Sequence, residues 1–268
     1  MKPLTLLAPA KLNLFLHVVG QREDGYHELQ TIFQLINLYD ELTFVLREDD
    51  QIFIVSKRCD IEKENNLIYK AYQLLQTHTK KLSGVEIHLN KKIPIGAGLG
   101  GGSSDAAASL TAFNQLFKLK LSQKKLKELG VTLGADVPVF IEGKTGWAEG
   151  IGEKLTPVTL PETRYILLAP DCFVSTVSIY KDKKLTRNTP KITLADYQFK
   201  TTHNDLQPVA CRKNPKIQKA LDWLNQFAPA RMTGSGSAVF APCQNKKQAE
   251  NILKQKNPPG RIFIVKGL

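Results

Sequence analysis

Apolar and polar residues alternate from Leu4 to Val19, a period of two that predicts a strand carrying Lys11 and Asn13 on one face. Asp24-Gly25 reads as a turn, followed by an extended run from Tyr26 to Leu38 and two shorter strands, Leu42 to Val45 and Gln51 to Val55. The spacing then becomes helical from Asn66 to His78, and Val85 to Leu89 alternates again. Ala106 to Phe117 is the strongest helical period, with Ser103 or Ser104 available to cap it and Asp105 in its first turn. A second helix is predicted from Ser122 to Leu129, while Val137 to Ile141 fits either an extended or a helical segment. Lys144 to Glu153 reads as glycine-broken strands and turns. Farther on, strands at Arg164 to Pro170, Ala238 to Ala241 and Arg261 to Lys266 alternate with helices at Pro215 to Phe227 and Lys246 to Lys256.

Strands that precede the helices packed on them predict an α+β fold rather than a regular parallel array. Pro157 and Pro161 mark a composition break between Glu153 and Glu162, so the expected domains are residues 1–155 and 156–268, the second a small α/β plait. With 268 residues and 42% hydrophobic content the chain can build a core in each. Cys59, Cys172, Cys211 and Cys243 are scattered without a C-x-x-C pair, which suits buried reduced thiols and a cytoplasmic location. Lys2, a short apolar run and Ala8-Pro9-Ala10 imitate a signal peptide, but Leu4 to Leu7 is too short for its apolar core. No run is apolar enough to span a bilayer, so no membrane partner is expected. The net charge of +12 is spread over solvated helix faces without an RNA- or DNA-binding motif. It fits attraction of small anionic substrates better than a nucleic-acid partner.

The densest chemistry lies between the strand at Val85 to Leu89 and the helix after it: Pro94, Ile95, Gly96, Ala97, Gly98, Leu99, Gly100, Gly101, Gly102, Ser103 and Ser104. Glycines can adopt positive φ and bring backbone N–H groups together, and the next helix points its unpaired amides at whatever anion they cradle. Gly96, Gly98 and Gly101 match G-x-G-x-x-G, but the βαβ unit with an acidic residue about 20 positions later is missing. The Walker spacing puts Gly102 where a lysine is required, and the protein-kinase signatures are absent. Phosphate binding is implied; the fold that performs it is not.

Taken together, Pro94 to Ser104, Gly134 to Pro138 and Arg231 to Ser237 resemble the GHMP kinase superfamily of small-molecule kinases. Ala8 to Leu14 and Asp24 to Leu29 are similar to the branch of that superfamily acting on a cytidine-diphosphate-linked methylerythritol, a step of isoprenoid precursor synthesis by the non-mevalonate route. The resemblance covers essentially the whole chain. It implies a substrate cleft between an N-terminal kinase domain and a C-terminal domain. It further implies that Pro94 to Ser104 wraps the phosphates of ATP, and that the acceptor is a tertiary 2-hydroxyl converted to its 2-phosphate with release of ADP. Asp136 would be the general base and Lys11 its electrostatic partner. Tyr26 and Tyr180 would sandwich the base and His27 read its edge, with Asn13 and Thr176 on the erythritol. Thr233, Gly234 and Ser235 form a second glycine-rich turn beside substrate and phosphate.

Mg²⁺ is expected with ATP, yet no paired carboxylates announce a protein metal site. Asp105 is either turned away from the triphosphate or engaged with Mg²⁺. Two rival readings share the loop. A superfamily member acting on a sugar, mevalonate or homoserine would not need Asp24 to Leu29, and a non-enzymatic nucleotide- or RNA-binding module would leave Lys11 and Asp136 without a joint purpose.

Overall fold

The computed structural model describes residues 2–57, 62–79, 82–243, 245–255 and 257–268; Cys59 and Lys256 lie outside them. The chain runs β1 (Leu4–Gln21), β2 (His27–Leu46), β3 (Ile52–Ser56), α1 (Leu67–Gln76), β4 (Val85–Asn90), α2 (Gly101–Leu116), α3 (Gln123–Leu133) and α4 (Val137–Glu142). It continues through β5 (Gly146–Glu149), β6 (Lys154–Pro157), β7 (Arg164–Ala169), α5 (Thr176–Tyr180), α6 (Gln207–Lys213), α7 (Pro215–Asn225), β8 (Arg231–Met232), β9 (Val239–Cys243), α8 (Lys246–Leu253) and β10 (Arg261–Lys266). This is the α+β content that the pattern predicts. Among the described residues no helix is long and apolar enough to cross a membrane.

Several boundaries differ from the periodicity, each for a local reason. The break expected between Leu38 and Leu42 is absent, and β2 runs straight through Asp40. That carboxylate is fully buried, yet it accepts hydrogen bonds from Lys91 Nζ and from the N–H groups of Lys92 and Ile93, so a polar residue sits inside a continuous strand. Helix α2 starts at Gly101, inside the stretch read as loop, because Gly100 takes a left-handed conformation (φ 71°) that turns the chain into the helix. Val137 to Ile141 is helical: α4 packs so closely on α3 that a Cβ at Gly130 would lie 2.8 Å from Val137 Cγ1. Helices α5 and α6, with 5 and 7 residues, are too short to register as a period.

The chain divides into two compact units that are interleaved in sequence. One comprises Met1–Ala10, Leu38–Ile93 and Gly100–Gly143; the other comprises Lys11–Asn37, Pro94–Leu99 and Lys144–Leu268. In the first, β2 pairs antiparallel with β4, Leu42 opposite Leu89, and β4 pairs parallel with β3, Ile87 opposite Ile54. Small buried residues on α2, Ala106, Ala107 and Ala112, permit close helix packing. Phe113 meets Phe44 and Tyr72 edge-on, with ring centroids 5.6 Å apart in each pair.

In the second unit β5 pairs with β2, Trp147 opposite Ile32, and β6 pairs with β5. A separate antiparallel sheet has the order β10-β7-β9-β8. Ile166, Leu168, Val239 and Ala241 from this sheet form one core with Ile217, Leu221 and Leu224 of α7 and Ile252 of α8. Each large aliphatic side chain buried there contributes roughly 1.5–3 kcal/mol.

Candidate functional site

Lys11 and Asn13 leave β1 on the same face, as their spacing requires, and both are buried. Lys11 Nζ donates to Asn13 Oδ1 at 2.5 Å and to the carbonyl of Gly98 at 3.0 Å, and it lies 5.3 Å from the Phe33 ring centroid. Asn13 is held from both ends: its N–H donates to Thr233 Oγ1 at 2.9 Å and its Nδ2 to Thr31 Oγ1 at 2.9 Å. The first part of the glycine loop, Pro94–Leu99, belongs to the same unit and is stitched to β1 and to the second glycine turn. Lys11 N–H donates to Leu99 O, and Ala238 N–H donates to Ala97 O. Gly98 has φ 74°, and a Cβ there would sit 2.3 Å from Thr233 O. Two glycine-bearing turns thus meet backbone to backbone, an approach only glycine permits. Asn204 closes the arrangement by donating to the carbonyls of Met232 (2.8 Å) and Gly234 (2.9 Å).

Gly100 to Ser104 belongs to the other unit and forms the start of α2. No side chain caps this 16-residue helix, so its first amides remain available to an anion. Ser104 Oγ is buried and has no hydrogen-bond partner among the described residues. Asp105, in the first turns of α2, is paired with Lys91. Its Oδ2 lies 2.6 Å from Lys91 Nζ, which also reaches Asp40 Oδ2 at 2.5 Å. Burial raises the Asp105 pKa, and the Asp40 charge adds to the rise against the pull of Lys91. Burial disfavours the Lys91 ammonium too, but the two carboxylates outweigh it and raise its pKa. Asp136 stands half-buried at the N-cap of α4 without making a capping hydrogen bond. In the same unit, a Cβ at Gly134 would come within 3.6 Å of Ser103 Oγ.

A further cluster gathers at the start of β2. Gly25 (φ 85°) and an Asx turn, Tyr26 N–H to Asp24 Oδ1 at 3.1 Å, shape the entry; Tyr26 is 61% exposed, whereas His27 is buried. The His27 ring lies 5.0 Å from that of Tyr180 at 37°. Arg187 Nε donates to His27 Nε2 at 3.0 Å. Burial, then the Arg187 charge, lowers the His27 pKa, so the imidazole is neutral. Thr176 Oγ1 and Ser235 Oγ share a hydrogen bond of 2.7 Å, joining α5 to the second glycine turn.

The site's supporting residues escaped the sequence reading. Lys91, Thr31, Arg187 and Asn204 each look like ordinary polar positions, and only tertiary contacts reveal their partners. Arg231 was visible solely as part of a motif. Its buried guanidinium donates to the carbonyls of Leu14, Phe199 and Thr202 and stacks on Phe199 at 4.2 Å. Phe173, 72% exposed, lies so close to Gly96 (φ 67°) that a Cβ there would meet the ring at 2.6 Å. Among the described residues no three His, Cys, Asp or Glu side chains are grouped as metal ligands.

Residues 66–144 match the GHMP kinases N terminal domain, and residues 189–255 match the GHMP kinases C terminal region. A 4-diphosphocytidyl-2-C-methyl-D-erythritol kinase of Shewanella loihica is 48% identical over 262 residues, 97% of this chain and 92% of the relative. One from Hahella chejuensis is 45% identical over 276 residues, 99% of this chain and 93% of the relative. A crystal structure of 4-(cytidine 5'-diphospho)-2C-methyl-D-erythritol kinase superposes with a TM-score of 0.85 at 32% identity, covering 99% of this chain and all of that one. Methanococcus jannaschii mevalonate kinase shares the fold, with a TM-score of 0.69 at 18% identity.

Proposed function

The chain belongs to the 4-diphosphocytidyl-2-C-methyl-D-erythritol kinase family of the GHMP kinases and is an ATP-dependent small-molecule kinase; on that premise we propose that it phosphorylates the 2-hydroxyl of 4-diphosphocytidyl-2-C-methyl-D-erythritol, giving the 2-phosphate and ADP in non-mevalonate isoprenoid synthesis. The observations that carry this reading are the interlock of Lys11, Asn13, Gly98 and Thr233 and the pairing of the His27 and Tyr180 rings. A pair of glycine turns alone would serve any alcohol kinase, whereas a buried, neutral imidazole packed on a tyrosine suits a flat base with hydrogen-bonding edges.

In this reading Pro94 to Ser104 holds the triphosphate through backbone amides and the start of α2. Asp136 takes the proton of a tertiary hydroxyl too weakly acidic to ionise at neutral pH, a contribution of about 10²–10⁴-fold. Lys11 stabilises charge on the moving phosphoryl group, and its bond to Asn13 fixes the ammonium before substrate arrives. Asn13 and Thr176 contact the erythritol, Tyr26 and Tyr180 flank the cytosine, and His27 reads its edge. Thr233, Gly234 and Ser235 line the substrate side.

Mg²⁺ would neutralise the β- and γ-phosphates. The unpartnered Ser104 Oγ is a hard oxygen suited to it or to phosphate, while Asp105, committed to Lys91, is not a ligand in this reading. The division into residues 1–155 and 156–268 is supported by family matches that fall on either side of it. Free thiols at Cys172, Cys211 and Cys243 favour the cytosol.

ADP release measured with the cytidylated substrate against mevalonate, homoserine and sugar alcohols tests the assignment. Turnover of one of those alcohols, with none of the cytidylated one, would refute it.

A further inference from the structure

Arg187 makes hydrogen bonds to four acceptors, and they fix its orientation completely. Nη1 donates to Leu185 O at 3.1 Å, and Nη2 donates to Tyr180 O at 3.0 Å and Asp182 O at 2.9 Å. The remaining bond runs from Nε to His27 Nε2 at 3.0 Å. A guanidinium has five N–H donors, no acceptor, and no accessible deprotonated form. The nitrogen facing it must therefore offer its lone pair. A neutral imidazole that accepts at Nε2 carries its proton on Nδ1. Nδ1 has no hydrogen-bond partner among the described residues, so the ring presents one unspent donor beside the Tyr180 ring.

We propose that Arg187 is a positioning residue for base selection: it locks His27 as the Nδ1–H tautomer, so that the site accepts a pyrimidine whose ring nitrogen is an acceptor and rejects one whose ring nitrogen carries a proton. The selectivity rests on the cytidine reading above; control of the tautomer does not. Cytosine offers a lone pair at N3, whereas uracil places N3–H there, so the same imidazole edge meets an acceptor in one base and a second donor in the other. Two donors left facing each other out of water give a discrimination of about 10- to 100-fold, which is about 1.4–2.8 kcal/mol. Arg187 also ties Tyr180 and Asp182 to the same guanidinium, so the flanking aromatic and the edge-reading imidazole are set by one residue.

The test compares wild type, Arg187→Lys and Arg187→Met in the full-length protein. Imidazole ¹⁵N chemical shifts of His27 in the free protein report the tautomer directly. Steady-state kinetics with the cytidine diphosphate substrate and its uridine counterpart report selectivity. Wild type should show Nδ1–H. Arg187→Lys, still a donor, should largely keep it, and Arg187→Met should move the proton toward Nε2. In Arg187→Met the KM for the cytidine substrate should rise about 10- to 100-fold with kcat little changed, and the preference over uridine should shrink by a similar factor. A purely structural role would weaken both substrates equally and leave the tautomer alone; that result overturns the proposal, as does a wild-type Nε2–H tautomer, which needs no variant to fold. Wild type that holds Nδ1–H yet turns over neither diphosphate would overturn the substrate reading and the selectivity with it, leaving tautomer control standing.

Discussion

Replacing Asp105 with Asn removes one charge from the buried group that Asp40, Lys91 and Asp105 form behind the start of α2. One ammonium faces two carboxylates there, at 2.5 Å from Asp40 and 2.6 Å from Asp105, and it cannot neutralise both. Asp40 also accepts from the N–H groups of Lys92 (2.6 Å) and Ile93 (2.9 Å), which satisfy its other oxygen. Asp105 accepts no such bonds: its Oδ1 is buried without a partner among the described residues, and burial reinforced by Asp40 pushes its pKa from 3.8 up to about 7. The native protein therefore binds more protons than the unfolded chain across that window, and stability falls as pH rises through it. The contribution is complete below pH 3.8 and lost once pH passes about 7. At about 1.4 kcal/mol per pH unit, the rise from 3.8 to about 7 amounts to about 4 kcal/mol. An asparagine amide at this position would mimic the protonated acid at every pH. Urea denaturation of both proteins from pH 4 to 8.5 at constant ionic strength reads the effect, because groups outside this cluster titrate alike in the two. The stability difference should move in favour of Asp105→Asn by about 4 kcal/mol across the range. A difference that is flat, or that favours wild type as pH rises, would show Asp105 to be an ordinary ionised partner of Lys91 and refute the reasoning.

Three other substitutions probe different links. Asp136→Asn should lower kcat by about 10²–10⁴-fold while calorimetry finds ATP affinity unchanged; wild-type turnover rules out the base role. Gly98→Ala forces a Cβ to 2.3 Å from Thr233 O at a positive φ, so the thermal midpoint should drop with a loss of at least about 1–2 kcal/mol, and an unchanged midpoint would contradict the close approach. Arg231→Met leaves the carbonyls of Leu14, Phe199 and Thr202 short of donors in a buried setting. It should cost about 3–5 kcal/mol in urea denaturation, and a cost below about 1 kcal/mol would show those bonds to be replaced by water.

Local sequence chemistry was enough to place most strands and helices, because side-chain period follows directly from backbone geometry: two for β1, 3.6 for α1 and α2. It also singled out Pro94 to Ser104 as a glycine-rich strand-to-helix junction, since positive φ favours glycine. Similar residues elsewhere needed partners distant in sequence before they meant anything. Asp40 looked like a strand break until Lys91, 51 residues away, was found to neutralise it. Gly98 looked like one flexible residue among several until Thr233 was found against it, and the bond between His27 and Arg187, 160 residues apart, left no trace in either local pattern. The amino-acid sequence determined the elements, the family and the loop, whose physics is local. Tertiary structure alone decided which polar groups are buried together, and hence where protons and charges reside, because desolvation and pairing depend on neighbours that only folding supplies.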